Sequence, residues 1–254
     1  MSGLERRRVD VGGRETVVYE GGEGQPLVFM HGGGIVEGVG CFVPLSDGFR
    51  FLAPQMPGFG GTALEPPLRG IDDLVEHNAR LLDALGVERI VLVGHSLGGW
   101  AAASFAAAHP DRVSRLVIAA AYGLDVPDHP IANARAMAPG ELYRELTNDP
   151  AIFEGLVPDG PDPEFDAARS LEARSLGGLV PGPFDPSLPA KLATLEMPLL
   201  LQWGDDDRIV PFAHLPAWRA ALAAAGVEVY EGAGHLLYWE RPDSVAAVAA
   251  FAAG

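Results

Sequence analysis

Six residues, Gly94-His95-Ser96-Leu97-Gly98-Gly99, constrain this chain more than any other feature. They stand between a short β-branched run over 90–93 and a stretch over 97–108 built almost wholly from small and apolar residues. The run reads as a buried strand, and the stretch as a helix closed by His109-Pro110. A serine with glycine two residues to either side, at a strand-to-helix junction, marks a turn too tight for side chains at Gly94 and Gly98. Such a turn leaves the Ser96 hydroxyl at its tip, beside the unpaired N–H groups that open a helix.

The rest of the chain repeats that alternation. Gly12-Gly13 joins two short runs, 9–11 and 15–19, as a hairpin. Strand runs follow at 26–30, 49–53, 90–93, 116–119, 198–203 and 227–230. Ile71, Leu74, Val75, Asn78, Leu81, Leu82 and Leu85 share one helical face, and Gly86 stops that helix. Further helices are predicted over 212–225 and 242–253. Strands alternating with helices imply an α/β fold with a mostly parallel sheet covered on both faces. Between 122 and 189 the pattern changes: strand runs stop, Pro and Gly become frequent, and short helical pieces are expected at 139–147, 150–156 and 163–176. The division is therefore a core of 1–121 and 190–254 with a helical insertion at 122–189, which Phe153, Leu156, Phe165, Leu171, Leu176 and Phe184 should pack down as one wall of an apolar pocket.

Composition narrows the function. The 254 residues carry 18 basic and 34 acidic groups, a net charge of −16, which disfavours nucleic acid and anionic membrane partners. Arg6-Arg7-Arg8 reads as a solvated first strand. With no apolar segment behind those arginines and no run of about eighteen apolar residues, a cytoplasmic location and no membrane span are expected. The single cysteine, Cys41, excludes an internal disulfide and reads as a small apolar residue. Histidines and acids do not cluster at metal-ligand spacing, and neither a phosphate-binding loop nor a dinucleotide fingerprint is present, so no metal and no cofactor are expected. A small-molecule substrate is the expected partner; oligomeric state is not legible.

A serine hydroxyl is a weak nucleophile without a base. His235, in Gly232-Ala233-Gly234-His235 after the last strand run, lies where loops at the C-terminal ends of parallel strands converge on ligands. His77 and His109 read as structural, His129 and His214 have no motif, and His95 reads as a packing or hydrogen-bonding group inside the turn. The acid that should orient the base falls in Asp205-Asp206-Asp207; Asp207 is preferred, Asp206 is second and Asp125 a distant third. Oxyanion donors are expected from the N–H of Leu97 and from His31-Gly32-Gly33-Gly34, with Gly33 preferred to Gly34.

Taken together, His31-Gly32-Gly33-Gly34, Pro57-Gly58-Phe59-Gly60, the turn at Ser96, the stretch 204–211, Gly232 to His235, and Glu240 with Pro242 resemble the α/β-hydrolase superfamily. The resemblance implies an eight-stranded, mostly parallel sheet, a Ser96–His235–Asp207 triad and a helical cap. The first two turns are similar to those of carbon–carbon bond hydrolases that cleave aromatic ring-fission products, and of related esterases. Gln55 stands where that family commonly has an acid. On this reading the chain is a serine hydrolase of small to medium apolar acyl substrates, with Phe153, Phe165, Leu176 and Leu236 as candidate substrate contacts. The same scaffold also serves cofactor-free haloperoxidase-like enzymes, lyases and small-molecule receptors.

Overall fold

The burial of successive strands sets the layering. In the computed structural model, which describes residues 3–34, 37–180, 182 and 184–254, the strands are β1 (Glu5–Val11), β2 (Arg14–Gly21), β3 (Gln25–Met30), β4 (Phe49–Pro54), β5 (Ile90–His95), β6 (Val113–Ala119), β7 (Leu199–Gly204) and β8 (Gly226–Tyr230). Every residue of β5 and β7 is buried, as strands covered on both faces must be. On β1 only Val9 and Val11 are buried. Its arginines face solvent and pair with the neighbouring strand, Arg7 with Glu20 and Arg8 with Glu15. One sheet results, in the order β1-β2-β4-β3-β5-β6-β7-β8. The pairs β1–β2 and β2–β4 are antiparallel and the other five are parallel. This is the eight-stranded, mostly parallel sheet expected from the sequence.

Among the described residues eight α-helices accompany it: α1 (Ile71–Ala84), α2 (Leu97–Ala108), α3 (Pro139–Leu146), α4 (Pro163–Leu179), α5 (Leu188–Leu192), α6 (His214–Ala221), α7 (Leu237–Glu240) and α8 (Pro242–Ala253). The predicted face of α1 is its buried face, and Gly86 follows it at a φ of 66°. The small residues of α2 let it lie close to the sheet. A Cβ on Gly99 would come 2.6 Å from that of Ala121. Helix α6 is shorter than 212–225 because Leu222, 4 % exposed, turns into the core and the chain must enter β8 at Gly226. A 3₁₀ segment over Gly40–Asp47, absent from the sequence reading, buries Phe42 and Leu45, and the Phe42 ring packs on Phe29 and Tyr238. No described helix is long and apolar enough to cross a membrane.

Between β6 and β7 the described residues hold α3, a 3₁₀ turn over Pro150–Phe153, α4 and α5, with a single isolated bridge from Gly123 to Phe184. Several hydrogen bonds tie this segment to the rest, two of them close to the serine turn's neighbouring loops. Ser175 Oγ donates to the carbonyl of Pro57 at 2.5 Å, and the N–H of Leu236 donates to that of Leu146 at 3.0 Å. Two apolar residues expected to pack inward do not: Leu156 is 42 % and Phe184 40 % exposed. Leu156 precedes a polar Pro- and Asp-rich loop with no element to bury it, and Phe184 stands at the isolated bridge on the lip of a surface cleft.

Candidate active site

Ser96 occupies the junction of β5 and α2 with φ 58° and ψ −122°, a left-handed backbone that a serine adopts only when its surroundings hold it there. They do so by hydrogen bonds. Its N–H donates to the carbonyl of Ala119 at 2.9 Å, and its own carbonyl accepts from Gly99, Trp100 and Tyr122. Gly98 is required sterically, since a Cβ there would fall onto the carbonyl oxygen of Met30; Gly94 approaches the carbonyl of Gly98 equally closely.

The loop after β8 delivers His235 to this tip. Ser96 Oγ donates to His235 Nε2 at 2.9 Å, and His235 Nδ1 donates to Asp207 Oδ2 at 2.9 Å. The Asp207 side chain is fully buried, and its other oxygen accepts from the N–H groups of Ile209 (2.9 Å) and Val210 (2.8 Å). Both oxygens are thus engaged, which fixes the carboxylate and through it the histidine tautomer. The structure separates the three aspartates. Asp205 accepts from Gly232 N–H at 2.7 Å and shapes the turn before His235, while Asp206 pairs with Arg208 at 2.9 Å. Asp207 alone of these three meets His235. Asp125 lines a different cleft of about 510 Å³ with Leu124, Phe184 and Ala217, and none of Ser96, Asp207 and His235 lines it.

Two further histidines hold the surroundings. His95 Nε2 donates to the backbone carbonyl of His235 at 2.8 Å, its ring 4.8 Å from that of His235. Burial pushes its pKa down to about 3, so it serves as a neutral donor. His31 accepts from Met56 N–H at Nε2 (2.9 Å) and donates from Nδ1 to the carbonyl of Gly32 (2.8 Å). Burial lowers its pKa to about 4. Because the peptide is planar and trans, a Gly32 carbonyl turned toward His31 leaves the N–H of Gly33 pointing the other way. Gly32 itself abuts Ser96: a Cβ on it would lie 3.4 Å from Ser96 Oγ. Gln55 is buried, with its amide nitrogen donating to the carbonyl of Ala53.

Of the candidate substrate contacts, Leu176 covers Gly33, with a methyl 3.4 Å from where a Cβ would stand, and buried Leu236 adjoins His235. Phe153 packs on Tyr143 at 4.6 Å between ring centroids, and Phe165 lies under the guanidinium of Arg169. The sequence reading did not single out the pair Arg169 and Glu172 on α4. Glu172 is 5 % exposed and ion-paired with Arg169 at 2.7 Å. A signal did exist: Glu172 lies in register with Leu176 and Leu179 on one face of α4, a polar residue in an apolar stripe. Among the described residues no group of three or more His, Cys, Asp or Glu side chains is placed to hold a metal ion.

A parallel sheet carrying a strained serine at the end of β5, with a histidine and a buried carboxylate supplied by later loops, defines an α/β-hydrolase arrangement. Residues 27–248 match the model of the alpha/beta hydrolase family, and the chain belongs to that family. Among curated relatives it is 29% identical to the 2-hydroxy-6-oxo-6-(2'-aminophenyl)hexa-2,4-dienoic acid hydrolase of Metapseudomonas resinovorans, over 96% of this chain and 89% of that one. It is 26% identical to the 2-hydroxy-6-oxo-6-phenylhexa-2,4-dienoate hydrolase of Comamonas testosteroni, over 88% and 86%. Among solved structures, a serine hydrolase involved in carbazole degradation superposes with a TM-score of 0.82 at 26% identity, covering 98% of both chains.

Proposed function

We propose that the protein is a serine hydrolase that cleaves an ester, or an activated carbon–carbon bond, of a small to medium acyl substrate. The observation that carries this reading is the unbroken buried chain from Ser96 through His235 to Asp207, each link 2.9 Å long. In the proposed cycle His235 takes the Ser96 proton as the hydroxyl attacks the substrate carbonyl, and Asp207 stabilises the imidazolium that forms. The N–H groups of Leu97, first residue of α2, and of Gly33, directed away from His31, are the proposed donors to the oxyanion. His235 then gives its proton to the departing alcohol, or to the departing carbon of a vinylogous diketone. Water, deprotonated by the same histidine, attacks the acyl group, and that proton passes to Ser96 Oγ as the acid departs. Residues 122–189 act in this reading as a cap that selects the substrate. Similarity to dienoate hydrolases supports the carbon–carbon bond as one substrate class.

The test is a panel of short-chain esters, lactones and vinylogous diketones, with labelling by a serine-directed phosphonate. Ser96→Ala should lower kcat by about 10³ or more and abolish the label, with the fold retained. A label on Ser104 or Ser170, or activity that survives the substitution, would overturn the reading.

A further inference from the structure

His235 rides on a loop whose backbone is held at successive positions. Gly232 N–H donates to the Asp205 carboxylate at 2.7 Å, and Ala233 N–H to the carbonyl of Tyr230 at 3.2 Å. The Ala233 carbonyl accepts from Asp206 N–H at 3.1 Å, and Gly234 N–H donates to Glu240 Oε2 at 3.0 Å. Two more bonds come from the segment between β6 and β7, at the end of α3 and just past it. Asn148 Nδ2 donates to the Gly232 carbonyl at 3.0 Å, and the Leu146 carbonyl accepts from Leu236 N–H at 3.0 Å. One grips the loop before His235 and the other directly after it. Packing adds a third contact: a Cβ on Gly234 would stand 3.2 Å from the Cα of Thr147 and 3.3 Å from the carbonyl oxygen of Leu146. Glycine at 234 lets the two backbones meet.

The same few residues also hold the loop that carries Asp207. Arg208, its chain neighbour, donates from Nε to Glu145 Oε2 at 3.1 Å, and from Nη2 to the carbonyls of Arg144 at 2.6 Å and Thr147 at 3.2 Å. Its Nη1 reaches Asp206 Oδ2 at 2.9 Å and Asn148 Oδ1, while Asn148 Nδ2 meets Asp206 Oδ2 at 2.8 Å. A planar guanidinium with fixed donor directions suits five acceptors that stay in place.

We propose that residues 144–148, fastened by Arg208 and Asn148, are a brace that keeps His235 and Asp207 in register, with these two as positioning residues for the triad. The proposal rests on the serine-hydrolase reading and deepens it: the cap segment supports the chemistry as well as selecting the substrate. His235 and Asp207 follow different strands, β8 and β7, and the chain joins them only through α6 and β8. Asp205 and Asp206 bond the two loops directly, but only at Gly232 and Ala233, ahead of the histidine. Residues 146–148 span both loops and add the grip beyond it. A displacement of about 1 Å at a reacting group costs about 10²-fold in rate, so a brace remote from Ser96 can still govern kcat. Asn148 is exposed and Arg208 half-buried, so replacing either leaves the core packing untouched.

The experiment compares the native chain with Arg208→Ala, Arg208→Lys and Asn148→Ala. Turnover of p-nitrophenyl butyrate and labelling of Ser96 by a p-nitrophenyl alkylphosphonate in the native chain test the hydrolase reading. The proton resonance of the His235 Nδ1–H held by Asp207 needs no substrate, and so tests the brace by itself. Arg208→Ala should lower kcat and the labelling rate about tenfold or more with KM within about threefold, and should shift and broaden that resonance. Asn148→Ala should do the same to a smaller extent. Arg208→Lys should recover part of the loss, because an ammonium meets some of the five acceptors and not all. A destabilised but correctly aligned protein would lower Tm and leave the resonance of its folded fraction in place. Should Arg208→Ala fail to fold, Asn148→Ala and Arg208→Lys give the same reading. Native kcat with an unmoved resonance in the folded variants, or a loss confined to KM, would overturn the proposal.

Discussion

The three adjacent aspartates at 205–207 share a residue type and differ only in where their side chains land. Asp207 is buried and spends one oxygen on two backbone N–H groups and the other on His235; Asp205 and Asp206 are exposed. An amide at 207 that keeps its oxygen on the Ile209 and Val210 N–H groups would turn its NH2 donor toward His235 Nδ1 and favour the wrong tautomer. Asp207→Asn is therefore expected to lower kcat by about 10³–10⁴, by comparison with other triads, with Tm little changed. Asp205→Asn should leave kcat within a few-fold and cost about 1 kcal/mol, because the lost contact only braces the turn at Gly232. Steady-state kinetics and thermal melts on the two variants separate these outcomes; equal losses of kcat would refute the assignment. His95 belongs to the same scale. Read from the sequence as a packing or bonding group, it holds the carbonyl of His235 from within the serine turn.

Among the elements, α4 covers Gly33 through Leu176, and its start is well defined. Asp162 caps it, its Oδ1 accepting from Glu164 and Phe165 N–H groups at 3.0 Å each, and Pro163 opens the first turn. Removing that cap should cost the helix about 0.5–2 kcal/mol. Asp162→Ala is expected to raise hydrogen exchange across 163–179 several-fold and to raise KM more than it lowers kcat, since Ser96, His235 and Asp207 lie on other elements. Unchanged exchange in that helix would count against its placement. The neighbouring α3 is tied down differently. Arg208 reaches Glu145, Asn148, Asp206 and the carbonyls of Arg144 and Thr147, binding the end of α3 to the loop that bears Asp207.

For the whole molecule, buried titratable groups pull stability in opposite directions with pH. His95 (about 3), His31 and His77 (about 4) are held below their ordinary 6.5, chiefly by burial. Between those values the unfolded chain binds protons that the folded one does not, so stability falls as pH falls. Glu37 and Glu172 are raised from 4.5 to about 7, so over that interval the folded chain holds the extra protons and stability falls as pH rises. Each group contributes a slope of about 1.4 kcal/mol per pH unit at most. With these three histidines, and His214 lowered by burial as well, against two carboxyls, Tm should decline from pH 6.5 toward 4.5, and more steeply in the Glu37→Gln/Glu172→Gln protein. A flat profile in that double variant would contradict the histidine assignment.

The chain's local patterning determined the layered α/β sheet and the serine turn, and pointed to His235 as the residue that meets it. Alternating strand and helix runs fold only one way round a parallel sheet, and glycines at 94 and 98 leave the turn at Ser96 little choice. The same local logic reached Asp207, although sequence spacing alone could not separate it from Asp205 and Asp206. Only the tertiary structure decided which of these carboxylates is buried against His235. Only it buried Glu172 against Arg169 on α4 and left Leu156 and Phe184 exposed. Burial and charge pairing are made between segments far apart in the chain, so no local period records them.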